Sequence, residues 1–293
     1  MKPREKTEAA IMIEVKNIKK SFGDKVVIED VSCVMKAGQC NLIIGSSGSG
    51  KTVLQKCMVG LFEPDQGEIL YSGQNFTAMK GQDKTEIRKE IGMLFQGGAL
   101  FDSLTVQENV MFPLSMFTKD SFRKKLDRVN EVLERVNLVD ANKKYPSELS
   151  GGMKKRVALA RAIVLNPKYL FCDEPNSGLD PQTSLVIDQL IQEITLEFNM
   201  TTVVNTHDMN SVMEIGTYIL YMYQGRKEWE GNKKEIIFSK NKRLNDFIFA
   251  SEFLQDAKDM RMLEETGKIP NHRNMDLMLD KDTPPLMPPT EEK

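Results

Sequence analysis

Gly45-Ser46-Ser47-Gly48-Ser49-Gly50-Lys51-Thr52 follows directly on the apolar run Asn41-Leu42-Ile43-Ile44 and matches the pattern G-x-x-x-x-G-K-[ST]. Phosphate oxygens must be met by converging backbone N–H groups, and side chains at the glycine positions would block that approach. The run before the loop reads as a short buried strand. Thr52 to Leu61 reads as a helix, stopped near Pro64, whose positive N-terminal end faces the same anion. Strand, glycine loop and helix open a βαβ unit. In that setting Lys51 is placed to reach the β- and γ-phosphates of a nucleotide, and Thr52 to ligate Mg²⁺.

Further along, Tyr169-Leu170-Phe171-Cys172-Asp173-Glu174 is an apolar strand ending in two carboxylates. Such an ending is common by itself. Downstream of a phosphate-binding loop it places Asp173 to hold Mg²⁺ through its water shell, and Glu174 to polarise an attacking water. Thr202-Val203-Val204 is another short apolar strand flanked by helical segments. The alternation implies a mainly parallel sheet covered by helices. Residues 11–35 alternate apolar and polar in part and read as short antiparallel strands. Residues 121–139 place Phe122, Leu126, Val129, Leu133 and Val136 at helical spacing, with Arg123, Lys124, Lys125, Asp127 and Glu131 on the other face.

Leu149-Ser150-Gly151-Gly152-Met153 adds a Ser-Gly-Gly turn before a helical stretch, Lys154–Leu165, and so a second anion site at a helix start. Together with the loop at 45–52 it resembles the signature sequence of ATP-binding-cassette (ABC) ATPases. The other motifs of that family follow in order: Gln96 matches the Q-loop glutamine, Ser177-Gly178-Leu179-Asp180 the D-loop, and His207 the switch histidine. Phe22, in Lys20-Ser21-Phe22-Gly23, matches the aromatic that stacks on adenine. Taken singly, Phe22 is more often a core aromatic, a lone histidine after a strand is more often structural, and Gln96 says nothing; order and spacing relative to the loop reverse those odds.

The resemblance covers about residues 12–250 and implies an α/β fold: a RecA-like parallel-sheet core, an antiparallel β subdomain and an α-helical subdomain at about 98–165. It also implies roles. ATP is held by Phe22, by the loop Gly45, Ser46, Ser47, Gly48, Ser49, Gly50, Lys51, Thr52 and Val53, and by Ser150, Gly151, Gly152 and Asp180. Thr52, Gln96 and Asp173 organise Mg²⁺. Glu174, His207, Lys51 and Gln96 are the catalytic set. In this family two cassettes pair head to tail, each ATP lying between the loop of one copy and the signature of the other. With one loop and one signature in the chain, a homodimer is the expected assembly. The segment 97–117 is expected to face a multi-span permease on the cytoplasmic face of the inner membrane.

Met153 stands where most of the family has glutamine, and the Q-loop continues Gly97-Gly98-Ala99-Leu100-Phe101-Asp102-Ser103-Leu104-Thr105-Val106. This pairing is similar to the ATPases of MCE-type lipid transporters, the Mla group, which moves phospholipids between bacterial membranes. That likeness implies an MCE-domain substrate-binding protein as partner, and in some members a STAS-domain subunit. The alternative is the ATPase of a polar-solute importer, for amino acids for example, where glutamine is expected at 153. A soluble ABC protein of DNA repair or translation needs two cassettes or a long coiled-coil insertion, and only 98 positions separate Lys51 from Leu149 without a heptad run. Two departures are Asn176, where threonine is common, and Val53, where a second hydroxyl often follows the loop.

Composition agrees with such a subunit. The 293 residues are 40% hydrophobic and 28% charged with a formal net charge of -2, which points to an ordinary globular chain and away from nucleic acid as a partner. Cys33, Cys40, Cys57 and Cys172 show no C-x-x-C spacing and read as small buried hydrophobes in a reducing compartment. No signal peptide is visible, and no uncharged apolar run approaches the roughly 20 residues that span a bilayer. From about Ser251 the chain reads as a C-terminal extension holding five of the twelve prolines; helix is expected through about 265 and disorder after Pro270. Phe247, Ile248, Phe253 and Leu254 are candidate anchors there, either on a partner cassette or on their own domain.

Overall fold

The computed structural model describes residues 12–250 and, beyond them, Gln255, Asp256, Lys258 and Met260. Two sheets share one apolar core. The first is antiparallel, in the order β2-β1-β4-β5, from β1 (Met12–Phe22), β2 (Lys25–Lys36), β4 (Gln66–Tyr71) and β5 (Gln74–Asn75). The second has six strands in the order β10-β9-β3-β8-β7-β6: β3 (Gln39–Ile44), β6 (Ile91–Leu94), β7 (Tyr169–Asp173), β8 (Thr201–Thr206), β9 (Tyr218–Tyr223) and β10 (Arg226–Gly231). All its neighbours pair in parallel except β9 and β10. Every residue of β7 and β8 is buried, as expected of parallel strands covered on both faces.

β1 and β2 are longer than the short strands expected from the alternation. Their pairing slips between Val15 and Ile18, Ile18 and Lys20, and Lys20 and Ser21. Asn17 and Asp30 take left-handed φ of 49° and 52° at the slip, and Asn17 Nδ2 donates to Asp30 Oδ1 at 2.7 Å. These bulges shift the phase of inward-facing residues and make one long strand read as two short ones.

Helix α1 (Lys51–Met58) touches β2 of one sheet and β8 of the other. Its Leu54, Cys57 and Met58 join Ile13, Val31, Ile69 and Tyr71 of the antiparallel sheet to Phe171, Val203 and Leu220 of the parallel one. The Tyr71 hydroxyl donates to Met58 O at 2.8 Å, and its ring meets that of Tyr169 edge to face at 4.6 Å. The helix ends earlier than Leu61, the expected end. Gly60, at φ 75°, turns the chain where a side chain would strike the Phe76 ring at 2.7 Å, and Leu61 N–H closes back on Lys56 O, so the stop is this glycine and not Pro64.

After the short α2 (Gly81–Lys89), the region between β6 and β7 is helical: α3 (Val106–Phe117), α4 (Phe122–Arg135), a 3-10 turn (Pro146–Glu148) and α5 (Gly151–Ile163). α3 opens on a reciprocal cap between Thr105 and Glu108, and α4 on Ser121. α5 begins three residues before the expected Lys154, because the Ser150 hydroxyl caps it by accepting Met153 N–H. α6 (Pro181–Glu197), α7 (Met209–Ile215) and α8 (Lys242–Ile248) complete the helices. Among the described residues no helix is long and apolar enough to cross a membrane.

The chain divides into a unit ending at Ile248 and a second beginning at Phe249. Within the first, Phe247 stacks on Tyr221 at 5.4 Å and Ile248 is buried, so these two candidate anchors pack on their own domain. Phe253, Leu254 and nearly all of the expected tail lie outside the described residues. Within the second unit, Gln255 Nε2 donates to Phe249 O at 2.8 Å and Lys258 Nζ lies 4.6 Å from the Phe249 ring.

Candidate active site

The glycine loop leaves the C-terminal end of β3 and turns into α1. Gly45 begins the turn at φ 150°; a β-carbon there would lie 2.4 Å from Met222 O. Ser46, Ser47 and Gly48 form the exposed rim, and Ser49 and Gly50 are buried beneath it. α1 starts on Gly50 with no side-chain cap and no acidic residue in its first turn, so its first N–H donors are not taken up by side chains. Lys51 bends back over the loop, its Nζ donating to Gly45 O at 2.7 Å and Ser46 O at 3.1 Å. Burial lowers its pKa, opposed by the Glu174 and Asp173 carboxylates. The Ser49 hydroxyl is buried without a partner. Val53 packs its side chain into the core, leaving its backbone as its contribution to the loop.

Asp173 ends β7 across from the start of α1. Its Oδ1 accepts from Thr52 Oγ1 at 3.3 Å and from Asn205 Nδ2 at 3.1 Å. Asn205, on β8, also donates to Gln55 Oε1 of α1. Glu174 follows in a left-handed conformation, φ 48°, which a non-glycine residue adopts at a cost of about 1 kcal/mol or more. Its N–H donates to Asn205 O at 3.0 Å. Its Oε2 lies 2.7 Å from Nδ1 of His207, which stands exposed between β8 and α7. The C-terminal ends of the neighbouring parallel strands β3, β7 and β8 thus bring together Lys51, Thr52, Asp173, Glu174 and His207. A pair of hard oxygen donors, Thr52 Oγ1 and Asp173 Oδ1, beside an uncapped helix start suits a small divalent cation carrying phosphates. Gln96 is exposed, just past the end of β6.

The other candidates sit on separate elements. Phe22 ends β1, 44% exposed, its ring edge to face with Phe62 at 5.2 Å. Ser150 and Gly151 are exposed at the start of α5, and Gly152 is buried against Thr183 of α6. Asp180 caps α6 by accepting Thr183 N–H at 3.0 Å and Thr183 Oγ1 at 2.6 Å, bonds that hold its carboxyl below the usual carboxylate range. All four cysteines are free and buried, with burial pushing Cys40 and Cys57 up to about 11 and Cys33 to about 12, so they are poor nucleophiles.

Three further groups support this site, and of their residues only Asn176 was noted in the sequence, as a departure from the usual threonine. Asn205 with Gln55 supports Asp173 from below. Lys155 of α5 donates to the main-chain carbonyls of Gln96 and Glu174. Asn176 Nδ2 donates to Ser211 Oγ of α7 at 2.9 Å, and both face Asp188 of α6 at the edge of a cavity of about 800 Å³ that reaches Glu174 and His207. The one signal available beforehand was a polar residue inside an otherwise apolar run, as in Val203-Val204-Asn205 and Val53-Leu54-Gln55.

Asp188 gives a stability prediction. It is 2% exposed, and its Oδ1 has no partner. Burial pushes its carboxyl from 3.8 up to about 6, against the pull of Ser211 and Asn176. The folded state therefore holds this proton more tightly than the unfolded chain, and stability is lost as pH rises from about 4 to about 6. The loss is about 3 kcal/mol and stays at that level above pH 6. Asp188→Asn removes it. The variant is expected to melt about 5 °C above wild type at pH 7.5, the gap shrinking as pH falls towards 4. Identical thermal melts at pH 7.5 would show that Asp188 carries no such penalty.

The profile described as "ABC transporter" matches residues 28–177. The chain belongs to the ABC transporter family. Among curated ABC proteins it is 39% identical to the methionine import ATP-binding protein MetN of Campylobacter jejuni, over 84% of this chain and 78% of that one. It is 42% identical to the probable ribonucleotide transport ATP-binding protein mkl of Mycobacterium leprae, over 68% of this chain; the match spans only 58% of mkl's own length. It is 38% identical to the intermembrane phospholipid transport system ATP-binding protein MlaF of Haemophilus influenzae, over 81% of this chain and 90% of that protein. The solved dimer of the ABC transporter cassette MJ0796 superposes with a TM-score of 0.70 at 32% identity, covering 75% of this chain and 98% of that one. The same cassette is also known as a dimer in a post-hydrolysis state with ADP and phosphate. This chain is therefore the ATP-binding, ATP-hydrolysing subunit of an ABC transporter, and cassettes of this family function as dimers.

Proposed function

We propose that two copies of this chain pair head to tail, close over two ATP molecules, and drive phospholipid transport between bacterial membranes as part of an MCE-type system. The observation that carries the mechanism is the packing of Thr52, Asp173, Glu174 and His207 around the mouth of the glycine loop. Phe22 offers its exposed ring to adenine. The backbone of Gly45 to Val53 and the Lys51 ammonium, which leaves the loop carbonyls, hold the phosphates. Mg²⁺, held by Thr52 and Asp173 with Gln96, would supply charge neutralisation at the β- and γ-phosphates. Glu174 takes a proton from the attacking water, and His207, within hydrogen-bond reach of Glu174, contacts the γ-phosphate. Ser150, Gly151 and Gly152 of the other copy close the site with the N–H groups at the start of their helix, and Asp180 lies at the same seam.

The surface after Gln96 supports docking to a membrane-spanning permease. Phe101 lies against Phe112 at 4.9 Å, and both are exposed, as are Met116 and Phe117. Asn109 fixes this loop by accepting Phe101 N–H at 2.8 Å and donating to the carbonyls of Phe101, Leu104 and Thr105. An exposed aromatic patch on a rigid support marks a docking surface. The place of action is then the cytoplasmic face of the inner membrane.

Met153 and the run Gly97–Val106 favour lipid as cargo, and so does a match spanning nine-tenths of MlaF. The 39% identity to MetN supports the second reading, an amino-acid importer. Affinity purification of the tagged chain from membranes separates them. A permease with an MCE-domain protein, with or without a STAS-domain subunit, is the expected result. A permease with a soluble solute-binding protein would overturn the lipid reading and leave the ATPase reading intact.

A further inference from the structure

α5 presents Ser150, Gly151 and Gly152 at its start, and one turn along the same helix stands Lys155, only 6% exposed. A buried ammonium is costly unless its protons are taken up. Lys155 Nζ donates to the carbonyl of Gln96 and, at 3.3 Å, to that of Glu174. One ammonium spans both because β6 and β7 are neighbours in parallel, Leu94 beside Cys172, and both chains leave the sheet at the same end. Burial lowers the Lys155 pKa, with Cys172 and the Glu174 and Asp173 carboxylates opposing it.

Glu174 is thereby clamped on both sides of its left-handed residue. Its N–H is held by Asn205 O at 3.0 Å and its C=O by Lys155. This clamp fixes the direction of the carboxylate that meets His207. A rigid helix now joins two places: the Ser-Gly-Gly start that serves the partner's nucleotide, and the backbone that aims the carboxylate serving its own. We propose that Lys155 is a positioning residue that couples the two composite sites, so that nucleotide seated against the start of α5 adjusts Glu174 of the same subunit. This rests on the reading of Glu174 and of Ser150–Gly152 given above.

The test is steady-state ATP hydrolysis by the full-length chain as a function of ATP concentration. Wild type is expected to show a Hill coefficient above 1. Lys155→Met is expected to lower kcat by about tenfold or more, with KM for ATP within about twofold, because the glycine loop is untouched. Its Hill coefficient falls to 1, a readout that simple loss of folded protein does not move. Lys155→Gln keeps a shorter neutral donor that reaches one carbonyl, and recovers part of both kcat and cooperativity. Wild-type kcat and cooperativity in Lys155→Met, or a Hill coefficient of 1 in wild type, would overturn the coupling. Should Lys155→Met fail to fold, Lys155→Gln decides: reduced kcat at unchanged KM supports the role, and wild-type kcat overturns it. Glu174→Gln measured in parallel separates the two layers, since full turnover there removes the underlying reading whatever Lys155 does.

Discussion

Glu174→Gln is expected to lower ATP turnover by about 10²- to 10⁴-fold, the usual contribution of a positioned general base. The substitution preserves shape. A glutamine can keep the left-handed backbone held by Asn205 O and Lys155, and its amide oxygen can still face His207 Nδ1. What it loses is an oxygen able to take a proton from water. Nucleotide binding rests on other groups: the loop backbone, Lys51 and the uncapped start of α1. ATP affinity should therefore stay within a few-fold of wild type. Because the γ-phosphate proposed to bridge the copies is no longer removed, the protein should run as a dimer on gel filtration with ATP and as a monomer without it. A variant that turns over at the wild-type rate would exclude Glu174 as the base, whatever its distance from His207.

The local chemistry of this chain was legible in sequence because phosphate binding leaves little choice of residue. Gly45 must stay bare against Met222 O, and strand, loop and helix then fall in order around it. Three of the parallel strands, β3, β7 and β8, were legible as apolar runs, whereas β6 and β9 were not read as strands. The antiparallel pair was cut short in the sequence reading because bulges at Asn17 and Asp30 break the alternation that marks a strand. The residues beneath the chemistry were not legible for a different reason. Lys154, Lys155 and Arg156 are three adjacent basic residues, and only folding shows that the middle one turns inward to two carbonyls, just past the ends of β6 and β7, some 20 and 60 residues away. Asn205, Gln55, Asn176 and Asp188 likewise gain meaning from neighbours that sequence spacing does not bring together.

The pairing of two copies makes the other large prediction. Lys51→Ala removes the ammonium that holds the phosphates, and Gly151→Asp places a carboxylate where the partner's γ-phosphate is to be held. Both should fold. Lys51 bonds only to its own loop, and a β-carbon at Gly151 meets only the flexible end of Leu179, at 3.3 Å. An acidic residue in the first turn of α5 even suits the helix dipole. Each variant alone is expected to lose about 99% or more of its ATPase activity, since in a homodimer either change damages both sites. Mixed dimers differ. The Gly151→Asp copy lends its intact loop, the Lys51→Ala copy its intact signature, and one of the two sites is whole. Random pairing makes half of the dimers mixed, so an equimolar mixture should recover at most about a quarter of wild-type activity, and less to the extent that the working Glu174 depends on nucleotide at the damaged helix start of its own copy. If each site were built within one chain, the mixture would stay as inactive as its components. The same measurement at increasing protein concentration should show the recovered activity rising steeply with dimer formation, which ties the requirement for a second copy to chemistry rather than to stability.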